Sequence, residues 1–133
     1  MRIDMLMEDA ATIEKGMSMI AQLEKEGAGN SNQMVRWIMN KDQHAAAIQE
    51  TVASYWLAQR IKTPKEDNAE ARAKYLGQLV HMHGITVAAM KCKQTTDTAN
   101  VAKLRALALE FSGTYFSAED AKHIEGHHAG EKH

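Results

Sequence analysis

The chain has 133 residues, 44% apolar and 25% charged, with a formal charge of -1; that suffices for one domain with its own core and excludes two of ordinary size. No apolar run approaches the roughly 20 residues that cross a bilayer, and the near-neutral charge gives no basic field for a nucleic-acid backbone. Neither membrane nor nucleic acid is therefore expected as a partner. MRIDMLMEDA at the start lacks the apolar stretch of a signal peptide, and a single cysteine cannot form an internal disulfide, so a reducing, cytoplasmic location is expected.

Breaks at GAGNSN (27–32), KTPKEDN (62–68) and QTTDT (94–98) divide the chain into four segments, 8–26, 33–61, 69–93 and 98–116, rich in Ala, Leu, Met, Glu, Lys and Gln. These residues favour helix. Asn32, Asn68 and Asp97 or Thr98 stand where N-caps belong, and Gly27 stands where a glycine closes a helix.

The first segment carries an apolar stripe of Leu6, Ala10, Ile13, Met17 and Ile20. In the second, the stripe is Val35, Ile38, Ala45, Ile48, Val52 and Tyr55, with Trp37 and Trp56 beside it. The third gives Leu76, Val80, His83, Val87 and Met90, and the fourth Val101, Leu104, Ala108, Phe111 and Tyr115. Spacings of three and four specify helices, and four such stripes on short loops predict an all-α, antiparallel up-down-up-down four-helix bundle over residues 1–117. Residues 118–133, AEDAKHIEGHHAGEKH, hold four of the seven histidines and few apolar groups, which predicts a flexible His-rich tail.

Several clusters invite a chemical reading. His81 and His83 are two apart, so on a helix they diverge by about 200° and cannot chelate one ion; His83 is expected in the core or at a subunit contact, and His81 on the surface or at a subunit contact. Cys92 lies between Lys91 and Lys93, which would lower its pKa if exposed, but without a second cysteine it reads as a small buried residue. Nine methionines, Met5 and Met7 among them, raise soft Cu(I) as a ligand, against their ordinary use as core filler. A di-iron centre has no support, because the one Glu-x-x-His spacing, Glu125 to His128, lies in the tail. His127 and His128, with His123 and His133, offer donors for Ni²⁺ or Zn²⁺. Nickel, copper and zinc stay open, and none is assigned.

The run from Ile13-Glu14 through NSNQMVRWIMNKDQHA (30–45) to Tyr55-Trp56 resembles the nickel superoxide dismutases, without a gap between Glu14 and Trp56. YLGQLV (75–80) and TTDTANVAKLRAL (95–107) fit the family more loosely. The resemblance implies a four-helix bundle assembled as a homohexamer, with nickel held in an N-terminal hook, His-Cys-x-x-Pro-Cys-Gly-x-Tyr, and superoxide dismuted to dioxygen and peroxide.

Set on that pattern, MRIDMLM has no histidine, cysteine or proline: Ile3 stands at the second cysteine and Leu6 at the tyrosine that closes over the metal. Glu14 keeps the family's glutamate, while its arginine partner becomes His44. Thiolates bring the nickel potential into the range that superoxide can both reduce and oxidise, so their loss predicts that dismutation at a hook is lost. The expectation is thus an oligomeric scaffold or metal-handling relative without enzymatic activity, with Glu14 and His44 near each other at the vacated site. Two alternatives are a superoxide dismutase or other redox enzyme with a different metal site, and a generic helical interaction module.

Overall fold

A computed structural model describes the backbone of residues 2–65 and 68–127, and side chains through Tyr115. Helix α1 spans Arg2–Glu26, α2 spans Ser31–Glu50 and continues as a π-helical segment Thr51–Arg60, α3 spans Ala69–Gln94, and α4 spans Ala99–His127. No strand occurs among the described residues. Each helix packs on the next and α1 closes the ring against α4, giving the predicted four-helix bundle. The expected boundary between bundle and tail, at 117–118, falls within α4; residues 128–133, including His128, lie outside the described residues.

Local chemistry sets the ends. Gly27 adopts φ 88° and donates its N–H to Leu23 O at 3.3 Å, as a left-handed closing residue does. Asn68 caps α3 by accepting the Ala71 N–H at 3.0 Å, and Asp97 accepts the Ala99 N–H at 2.9 Å. The cap of α2 is Asn30 rather than Asn32, and its side chain turns back to donate to Gly27 O. Helix α1 begins six residues before the expected start, because Ile3 and Leu6 extend the buried row of Ala10, Ile13, Met17 and Ile20 by two further turns.

The core confirms the stripes of α1 and α4 and corrects the other two. Along α4, Val101, Leu104, Ala108, Phe111 and Tyr115 are all buried. On α2, Val35 and Ile38 are exposed; the inward row runs through half-buried Met34 and Trp37 to buried Lys41, Ala45, Ile48 and Val52. On α3, Leu76, Val80, His83, Val87 and Met90 all face outward, and the core row is Met82, Ile85, Ala89 and Cys92. Both rows of α3 have helical spacing, so periodicity cannot choose between them. Small residues decide it, since they let neighbours approach: a Cβ at Gly84 would meet Leu107 Cδ1 at 3.1 Å.

The π-helical turns answer a register problem. Ile48, Val52, Trp56 and Ile61 are all buried, yet in a continuous α-helix at 3.6 residues per turn this sequence of positions would wind off the core face. Wider i→i+5 turns hold them on one side, and the segment closes with the Ile61 N–H donating to Trp56 O at 2.8 Å. Trp56 then meets Phe111 edge-on at 4.9 Å and Tyr115 at 5.0 Å. These rings fill one end of the bundle.

Lys41 is the buried charged residue of this core, 3% exposed. Its Nζ donates to Cys92 O at 2.7 Å, Lys93 O at 2.8 Å and Asp42 Oδ1 at 3.1 Å, which uses all three donors of an ammonium. The last carbonyls of a helix lack partners within it, and Lys41 supplies two of them for α3. Replacing Lys41 by alanine strands the Cys92 carbonyl in the interior and takes the donor from the half-buried Lys93 carbonyl; Lys41→Ala should lower the free energy of urea unfolding by about 2–4 kcal/mol. A loss comparable to that of an exposed lysine such as Lys25→Ala would refute this role.

Candidate functional site

The family resemblance points to two places: the first seven residues and the pair Glu14–His44. In the first, residues from Arg2 onward are helical. Ile3 is 8% exposed and Leu6 1%, both within the main core cluster, and Met7 packs against it. Arg2 lies over the Tyr55 ring at 4.6 Å and donates to Met5 Sδ at 3.7 Å. The segment is thereby anchored to the π-helical turns.

At the second place, Glu14 Oε1 accepts from Arg105 Nη2 at 2.9 Å, and His44 Nδ1 lies 2.7 Å from Asp9 Oδ1. The two residues are given different partners. Arg105, from α4, supplies Glu14 with the guanidinium that the resemblance would have placed at position 44. Neither Arg105 nor Asp9 stood out in the sequence, although each sits one residue from a buried stripe member, Leu104 and Ala10. A charged residue at the edge of an apolar stripe is the signal for a cross-helix pair.

The remaining candidates are dispersed. His81 is half-buried, its Nε2 3.4 Å from Glu110 Oε1 and its ring 6.3 Å from that of Phe111. His83 is exposed, which corrects the first of its two expected places, the core. The side chain of His127, like His128, lies outside the described residues. Cys92 is buried, and burial raises its thiol pKa more than nearby Lys41 lowers it. Among the described residues no group of three or more His, Cys, Asp or Glu side chains could hold a metal ion.

The family model described as nickel-containing superoxide dismutase matches residues 1–119. The chain belongs to that family. No curated protein and no solved structure matches. For a nickel superoxide dismutase relative the donor set is decisive. Residues 2–7 offer Arg, Ile, Asp, Met, Leu and Met, two of them locked in the core, and the lone thiol is sealed on α3. These residues do not fit a thiolate-ligated nickel ion, so no redox step is derived through one.

Two outcomes follow from this geometry. Leu6→Ala should cost about 2–5 kcal/mol in urea unfolding, the range for a buried leucine, whereas a hook free of the bundle would leave stability unchanged. For Cys92, the folded thiol holds its proton to higher pH than the unfolded one, so its contribution to stability is present below the unfolded thiol pKa of about 8.5 and is lost as pH rises above it. Unfolding measured from neutral to alkaline pH should show a decline in stability that is smaller in Cys92→Ala.

Proposed function

We propose that this chain is an oligomeric four-helix scaffold of the nickel superoxide dismutase family that has given up nickel dismutation at an N-terminal hook. The observation that carries this reading is the use made of the hook positions: Ile3 and Leu6, at the places of a cysteine and the closing tyrosine, are core side chains of α1. A segment whose side chains fill the core cannot also fold round an ion as a loop.

Self-association is supported by the outer face of α3. Leu76, Val80, His83, Val87 and Met90 are spaced four, three, four and three apart and are all exposed, Val80 by 69%. Such spacing is the seam along which helices of separate bundles interlock, and a contiguous apolar face of this kind marks an association surface. The occupant we favour is the same face of a second copy, with His83 as the polar member of the seam. The hexamer implied by the family resemblance is the assembly that this contact would help to build.

Untagged protein purified without a metal-affinity step, so that the terminal histidines acquire no extraneous ion, should contain no stoichiometric nickel and consume superoxide no faster than the buffer blank. Stoichiometric nickel together with dismutation would overturn the proposal. Light scattering should give a mass several times that of the monomer, and Val80→Glu should shift it downward while helical content is retained; an unchanged mass would remove the α3 seam from the interface.

A further inference from the structure

One cavity of the described structure lies away from both places the family resemblance singles out. It has a volume of about 470 Å³ and opens where the π-helical segment ends and α3 begins. Arg60, Lys62 and Lys74 line it, with Tyr75, Gln78 and Tyr115 among its other walls. No carboxylate is present among the described lining residues. In a chain with a net charge of -1, three cations around one concavity, with no carboxylate among its described lining residues, make a local positive field against the overall balance.

The groups are also held. The Arg60 guanidinium lies over the Tyr55 ring at 4.7 Å from its centroid; stacking spends the flat face of a guanidinium and leaves its N–H edge for partners in the plane. Lys74 and Gln78 stand one turn apart on α3, and Thr63 Oγ1 donates to the Tyr75 hydroxyl at 3.4 Å, tying the loop wall to the helix wall. The cavity adjoins the first turns of α3, where the helix dipole is positive. Its volume falls in the range of small-molecule sites.

We propose that this groove binds a small, multiply charged phosphate anion. A planar fork from Arg60 and two point charges from Lys62 and Lys74 suit a ligand with several oxygens and at least two negative charges, which a phosphate offers and a single carboxylate does not. Gln78 and the Tyr75 hydroxyl, which accepts from Thr63 and keeps its own O–H to donate, supply hydrogen bonds, and the tyrosine rings give an apolar wall for whatever the phosphate is esterified to. The site is independent of nickel and of the α3 seam.

Calorimetric titration of the full chain with pyrophosphate at low ionic strength should show saturable binding of one anion per chain, weakening as salt is added. Lys62→Ala and Lys74→Ala, both at exposed positions, should each reduce affinity about tenfold, the loss of one charge-assisted hydrogen bond, with melting temperature unchanged. Lys25→Ala, on an exposed position of α1, should leave binding as it is. Absence of saturable binding, or an equal loss in Lys25→Ala, would overturn the proposal. A parallel arm uses vesicles of phosphatidylcholine and phosphatidylserine: co-sedimentation that depends on Lys62 and Lys74, without pyrophosphate binding, would assign the groove to a lipid headgroup and overturn the free-phosphate reading.

Discussion

The fold turns on how the end of α3 is held inside the bundle. Its last turn meets α2 at buried Cys92, and the orphan carbonyls there need donors. Thr95 serves Lys91 O, with its N–H and its hydroxyl both at 3.1 Å, and Lys41 serves Cys92 O and Lys93 O. The lysine can lie there because α1 has Gly16 against it; a Cβ on Gly16 would stand 3.4 Å from Lys41 Cβ. Three helices are thus fixed at one level by one glycine and one ammonium. Apolar packing alone would allow α3 to slide along its neighbours; a three-donor contact sets its height.

The other helix pairs are registered by single polar contacts at the margins of the core. His44–Asp9 joins α2 to α1, Arg105–Glu14 joins α4 to α1, and His81–Glu110 joins α3 to α4. All three are partly solvated, and such pairs contribute on the order of 1 kcal/mol or less. Their value lies in orientation. Around Glu14 the same holds: His44 reaches Asp9 while Glu14 takes Arg105 from α4, so α1 is cross-linked to both of its neighbours.

Helix number and two of the four core rows were legible in the sequence, and so were the ends of α3, but not the start of α1 or the end of α4; the two rows could be read because they are the single continuous apolar stripes of α1 and α4. The α2 row was partly hidden by Lys41, since a charged residue breaks an apolar stripe when only hydrophobicity is counted, although Met34, Trp37, Lys41, Ala45 and Ile48 keep helical spacing throughout. On α3, two apolar rows compete, and the larger residues lie outside. Volume favours the wrong row there; Gly84, Ala88 and Ala89, which let neighbours come close, identify the right one. The π-helical turns left only a faint trace, the spacing of five between Trp56 and Ile61. The groove beside them was invisible, because Arg60, Lys62 and Lys74 are brought to one concavity only when the chain turns back at Pro64.

On the proposed reading, a nickel hook and the outer α3 face make demands that can be separated physically. A nickel hook needs a flexible segment with thiolates, and its demands end within the first turns of the chain. Assembly needs a rigid bundle with an apolar face, which the Lys41 contact, the π-helical register and the Trp56 ring cluster all serve. Ile3 and Leu6, which the resemblance sets at hook positions, serve the second requirement, since each buried side chain adds apolar area to α1. On that reading the stability of the bundle and the chemistry of a hook would draw on the same positions, and in this chain core packing occupies them through Ile3 and Leu6.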